Sequence, residues 1–180
     1  MSRKMALSAV GSDCPGIVAE VSRVLFLHGC NIEDSSMTIL RGEFAMILIV
    51  ALPDQTPEQA LSDELQKVAE QLRLILSFRE LPAHTEQAES EPGVPYIVSV
   101  YGADRPGIVH QVTRGLAERK VNITDVNTRM VGQGSPVYIM ILEVDVPESA
   151  VIGGFEAGLK ELAKELSVDI TVRPLETAHL

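Results

Sequence analysis

The sequence predicts an α+β protein built from two tandem βαββαβ modules, each an antiparallel sheet with both helices on one face. Three observations predict it. Gly11-Ser12-Asp13-Cys14-Pro15-Gly16-Ile17-Val18 returns 91 residues later as Gly102-Ala103-Asp104-Arg105-Pro106-Gly107-Ile108-Val109. Asn31-Ile32-Glu33-Asp34 returns at the same offset as Asn122-Ile123-Thr124-Asp125. Between these landmarks the apolar spacing switches between strand and helix periods in the same order in both halves. A period of this length is too long for a stacked solenoid unit, whose repeats run about 20–50 residues. It suits one small folding domain.

Met5 to Gly11 and its copy Tyr96 to Gly102 are short apolar runs ending at Gly, and read as first strands. The following Asp-x-Pro-Gly is a turn into a helix start, with Pro tolerated in the first turn. Ile17, Val21 and Leu25 then recur at helical spacing, as do Ile108, Val112 and Leu116. Gly29 closes the first of these helices. Lys120 stands at the equivalent position of the second, where a cation suits the helix end.

Two strand-like runs follow, Ile32 to Leu40 and Glu43 to Leu52, around an Arg41-Gly42 turn. Their counterparts are Ile123 to Val131 and Val137 to Val146 around a longer turn, Gly132 to Pro136, so the offset grows to 94. Leu61, Leu65, Val68 and Leu72 mark a second helix, matched by Phe155, Leu159, Leu162 and Leu166. Leu74, Leu76 and Phe78 alternate as a last strand, matched by Val168, Ile170 and Val172. Strand–helix–strand–strand–helix–strand is the split βαβ, ferredoxin-like pattern. The expected organisation is a first module over 1–81, a linker over 82–94 rich in Glu, Pro and Ala, and a second module over 95–176. A frayed tail follows. The modules are expected to associate through their sheets, as far as a continuous eight-stranded sheet.

Bulk composition narrows the function. With 46% hydrophobic and 22% charged residues the chain is a soluble globular protein. Its longest apolar run, Phe44 to Leu52, is far short of the roughly 20 residues that cross a bilayer. The basic start Met1-Ser2-Arg3-Lys4 is followed by too short an apolar stretch for a signal peptide, so the expected location is the cytoplasm, with no membrane partner. A net charge of −10 argues against direct nucleic-acid binding, and 4% aromatics without Trp argue against a base-stacking platform. Cys14 and Cys30 bracket a helix, which puts them roughly 20 Å apart and beyond disulfide reach. His28, His84, His110 and His179 share no metal-ligand spacing, and no metal or cofactor is expected.

The repeated loop is where chemistry concentrates. Asp-x-Pro-Gly places backbone N–H groups at a helix N-terminus, where unpaired donors and the dipole favour an anion such as a carboxylate. The Asp offers an acceptor for an ammonium group, or a cap for the helix. Asn31 and Asn122 add an amide with donors and an acceptor. A free amino acid displays both charged ends and would fit. Equally, Asp caps, Pro and Gly shape the turn, and Asn supports the strand start. Met46 and Met140, at equivalent strand positions, read as core. Cys14, at a helix start, reads as a small, partly buried residue ahead of a redox sensor. His110 and Gln111 lie on the helix close to the second loop. Glu86 to Glu91 reads as solvated linker.

Gly-x-Asp-x-Pro-Gly-Ile-Val, followed after one helix by Asn-Ile-x-Asp, resembles the ACT domain, and it does so twice, over nearly all of the chain outside the linker and ends. A tandem pair without a catalytic domain is most similar to the family of the glycine cleavage system transcriptional repressor. The resemblance implies a regulatory, non-enzymatic protein with an amino-acid ligand, glycine or similar. It also implies action through a protein partner such as a transcriptional activator, and a homodimer is compatible with it. In ACT domains the ligand commonly sits between two modules, beside the first loop and the start of the second strand. Carried over, the ligand residues are Asp13, Cys14, Pro15, Gly16, Ile17 and Asn31, and Asp104, Arg105, Pro106, Gly107, Ile108 and Asn122. The halves differ where Arg105 replaces Cys14, which equips the second loop better for an anion, and in the hairpin of 132–136.

Two other classes compete. The same architecture hosts acylphosphatase-type hydrolases, in which Arg105 and Asn122 would hold a phosphate and a water, although no nucleophile–base pair is apparent. An ACT regulator of a metabolic enzyme in trans is the other. An RNA-binding module would need stacking aromatics and a basic face, and the chain has neither.

Overall fold

The computed structural model describes residues 2–82, 93–132 and 136–175. The chain divides into two compact units, Met1–Thr85 and Glu86–Leu180. The first contains β1 (Ser2–Ser12), α1 (Ile17–Leu27), β2 (Asn31–Leu40), β3 (Glu43–Pro53), α2 (Glu58–Leu72) and β4 (Leu74–Glu80). The second contains β5 (Val94–Ala103), α3 (Ile108–Ala117), β6 (Asn122–Val131), β7 (Val137–Val146), α4 (Glu148–Ile152), α5 (Phe155–Leu166) and β8 (Asp169–Pro174). The sheets are antiparallel and ordered β2-β3-β1-β4 and β6-β7-β5-β8. Each unit's own sheet has four strands. The expected linker falls almost wholly outside the described residues, as do His84, Glu86 to Glu91, the tail with His179, and positions 133–135 of the longer hairpin.

Alternation sorts each strand into two faces. Met5, Leu7 and Ala9 of β1 and Phe44, Met46 and Leu48 of β3 are buried against Val21 and Leu25 of α1 and Leu61 and Leu65 of α2. Val98, Val100, Met140, Leu142, Val112 and Leu159 do the same in the second unit. Removing a Leu or Val of this kind from water contributes roughly 1.5–3 kcal/mol each, so the two cores hold the units together. Met46 and Met140 are core residues, as their spacing predicted.

Local details depart from the sequence reading where backbone geometry intervenes. Pro15 and Pro106 stand outside the first helical turn, because Gly16 (φ 102) and Gly107 (φ 97) are the left-handed N-caps. A left-handed Gly29 follows α1, whereas Lys120 takes the same conformation (φ 58) after α3 without being glycine. The short α4 was not anticipated. Gly153 and Gly154 separate it from α5, with Gly154 left-handed at the new N-cap.

The first glycine of the repeated loop has a different reason from the second. A Cβ on Gly11 would lie 2.8 Å from the carbonyl oxygen of Arg73 and 2.9 Å from Leu74, where β4 begins. Gly102 meets Val168 in the same way, at 2.6 Å. Gly11→Ala must part β1 from the β4 backbone and is expected to cost about 1–3 kcal/mol, read from urea unfolding by far-UV circular dichroism.

Candidate functional site

The repeated loop is built by the end of the first strand, the left-handed glycine and the first turn of the helix. In the first unit it is pinned from behind, since the Asp13 N–H donates to the Gly42 carbonyl of the β2–β3 turn at 2.8 Å. No side chain caps α1 or α3, so Asp13 and Asp104 do not serve as helix caps. Both residues are exposed, and among the described residues the Asp13 carboxylate has no hydrogen bond or ion pair. Each loop thus shows a free acceptor beside uncapped helix donors. Ile17 and Ile108 are 2% and 3% exposed, so their side chains belong to the cores while their N–H groups open the helices. Cys14 is half-buried against the first core, as is Cys30, whose thiol pKa burial pushes up. His110 is exposed.

The structure does not bring the loop and the asparagine of one unit together. Asn31 opens β2 opposite Ala51 of β3, while Ser12, just before the loop, pairs with Glu43 at the other end of the same strand. Eight residue steps along β3 separate these pairs, roughly 26 Å at about 3.3 Å per residue. Asn122 and Ala103 are held apart identically, opposite Asp145 and Val137 of β7. A bound amino acid cannot touch both ends of a single unit. The same geometry parts Arg105 from Asn122, which removes the pairing on which the phosphate-hydrolase reading rested.

Arg105 also has a structural occupation. Its Nη2 donates to the carbonyl of Leu166, the last residue of α5, where a cation complements the helix dipole. One of five guanidinium donors is engaged. Arg105→Ala is expected to lower stability by about 1 kcal/mol, measured as a shift in the urea midpoint.

Three residues that sequence reasoning passed over shape the surroundings. Tyr138 stands where the first unit has Phe44, and is half-buried beneath the second loop. Burial pushes its phenol pKa up, a hydrogen bond with Thr128 opposes this, and the charge of Asp104 adds to the rise. The second unit therefore carries a phenol that feels the charge of Asp104, where the first has Phe44. Aligning Phe44 with Tyr138 at the offset of 94 would have shown it. Beside Asn31, an open groove is lined by Ser22, Arg23, Phe26 and Ile32. Phe26 is 79% exposed. It continues a Val18-Ser22-Phe26 row on the flank of α1, in which Val18 and Phe26 are exposed apolar residues off the buried face of the helix. Arg23 is already paired with Glu20 at 2.8 Å.

No cluster of three or more potential metal ligands exists among the described residues. No helix among them is long and apolar enough to cross a membrane.

Comparison with known proteins agrees with this architecture. The ACT domain profile matches residues 4–79 and 95–173. The glycine cleavage system transcriptional repressor of Escherichia coli is 26% identical over 169 residues, covering 91% of this chain and 85% of that protein. A UPF0237 protein of Methanopyrus kandleri is 44% identical over 70 residues, 38% of this chain and 78% of its own length. The crystal structure of an unknown protein from Galdieria sulphuraria superposes with a TM-score of 0.80 at 26% identity, covering 98% of this chain and 100% of that one. A second solved structure, provisionally assigned as a glycine cleavage system transcriptional repressor, superposes at 0.75 with 20% identity over 98% of this chain and 99% of its own, and shares the fold. With the profile matched twice over most of its length, the chain belongs to the ACT domain family.

Proposed function

We propose that this protein is an amino-acid-responsive regulator, acting in the cytoplasm through a protein partner and not through DNA. The observation that carries the reading is the division of labour inside the repeated loop. Its glycines are explained by close approach and by left-handed backbone, but its aspartates are explained by neither. An exposed carboxylate beside uncapped helix donors, occurring twice, is suited to the ammonium and carboxylate of a small amino acid such as glycine. Because Asp13 and Asn31 lie at opposite ends of one unit, a ligand touching both kinds of residue needs the loop of one module and the asparagine of another. The net charge of −10 favours a protein over a nucleic acid as the target. The full-length similarity to a repressor of the glycine cleavage system supports a transcriptional regulator as that target.

Calorimetric titration of the full chain with glycine, serine and a panel of other amino acids tests the reading. Saturable heat and a raised melting temperature with one of them are expected. Absence of heat with every amino acid, together with unchanged melting, overturns it.

A further inference from the structure

We infer that the second unit carries a binding groove for a phosphate monoester on a hydroxylated carbon skeleton, between the last turns of α5 and the start of β8. The groove is open and holds about 570 Å³, within the range of small-ligand sites. Lys160 and Lys164 stand on its α5 wall. Tyr101 and Asp169 stand on its strand wall, paired with each other across β5 and β8. The buried side chains of Ala163, Val168 and Ile170 make its lining apolar between the two.

The charges select the ligand. Lys160 and Lys164 are one helical turn apart, which sets their Cβ atoms about 5–6 Å from each other, so both ammonium groups can reach one anion. Neither has an ion pair among the described residues, and neither does Asp169 across the groove. Opposite charges that line one groove without meeting suit a ligand that bridges them. The lysine pair has no helical reason, because like charges at this spacing weaken a helix. Nor does the negative end of α5 call for Lys164. The carbonyls of Ala163 and Lys164 already accept from the Val168 and Ser167 N–H groups, and that of Leu166 from Arg105. A phosphate monoester brings roughly two negative charges and three acceptor oxygens to the lysines. Its hydroxyl groups donate to Asp169, which would repel a bare anion. The Tyr101 ring, 37% exposed, supports the carbon skeleton.

The first unit lacks the device. Its equivalent positions hold Gln66 and Glu70 in place of the lysines, Ile75 in place of Asp169 and Val10 in place of Tyr101. Glu70 repels an anion, and Ile75 offers a hydroxyl group no acceptor. The groove is thus assigned to the second unit alone. It is also separate from the start of α3, none of whose residues lines it.

Calorimetric titration of the full chain with AMP, ribose phosphate, ribose and inorganic phosphate tests the groove. No amino acid is present, so failure here is separable from failure of the amino-acid reading. Saturable heat with AMP or ribose phosphate is expected, about tenfold tighter or more than with inorganic phosphate or ribose. Heat with AMP alone makes the ligand a nucleotide with its base on Tyr101, whereas equal affinity for both esters makes it a sugar phosphate. The double variant Lys160→Gln, Lys164→Gln should weaken binding about tenfold or more, with unchanged circular dichroism. Asp169→Asn should weaken both esters and leave inorganic phosphate no weaker. Lys67→Gln, on α2 of the first unit, should have no effect. Absence of heat with both esters overturns the proposal. So does inorganic phosphate binding as tightly as the esters, undiminished binding in the lysine variant or in Asp169→Asn, or loss of binding on Lys67→Gln.

Discussion

Phe155→Ala is expected to remove about 3–5 kcal/mol from the second unit. Phe155 is 2% exposed at the start of α5 and meets Tyr96 of β5 edge-on, with ring centroids 5.4 Å apart. Truncation leaves a cavity between helix and sheet and deletes an aromatic contact worth about 0.5–1.5 kcal/mol beyond burial. A module of this size is stable by only about 5–15 kcal/mol, so the loss is a large share of the total. The measurement can be made selective. Tyr96, Tyr101 and Tyr138 are the only tyrosines, there is no Trp, and all three lie in the second unit. Near-UV circular dichroism of tyrosine therefore follows that unit. A fall in the urea midpoint of about 1–5 M is expected, given a slope of about 1–3 kcal/mol per molar. A fall under half a molar would mean that the helix does not pack as described.

The other large effect concerns the ligand. Under the amino-acid reading, Asn31→Ala or Asn122→Ala removes a hydrogen bond to a charged group, worth about 1.5–3 kcal/mol. Calorimetry should show affinity falling about tenfold to more than a hundredfold for the site concerned. Both side chains are exposed at strand starts and bond nothing else among the described residues, so melting temperature should stay constant. The single variants also separate the two units. If only Asn122→Ala weakens binding, the asparagine of the second unit is the one that holds the ligand. Undiminished binding in both variants would remove the asparagines from the site.

Most of the fold was legible because it is written in local patterns. Ile17, Val21 and Leu25 declare a helix by spacing alone, and the alternation of Phe44, Met46 and Leu48 declares a strand with one buried face. What escaped was decided by backbone detail or by distant partners. Gly153-Gly154 breaks the chain ahead of α5, but the glycine pair alone does not say that a helical turn precedes it. Pro15 resembles a first-turn proline until the left-handed Gly16 after it becomes the cap. Arg105 invited an anion-binding role, and nothing nearby in sequence announces that the end of α5 lies beneath it. Tyr138 and Asp104 are far apart in sequence and meet because β7 and β5 are adjacent strands.

By itself the sequence determined that there are two modules of one kind, which element follows which, and which residues recur at a loop and a strand start. Those properties follow from periodicity and turn chemistry, which act over a few residues. Tertiary structure alone decided what the recurring residues can do together. The strand order β2-β3-β1-β4 carries Asn31 away from Asp13 along the full length of β3, and β6-β7-β5-β8 does the same to Asn122 and Asp104. Antiparallel pairing sets that separation at about 3.3 Å per residue, and no spacing in a linear chain encodes which end of a sheet a residue will reach.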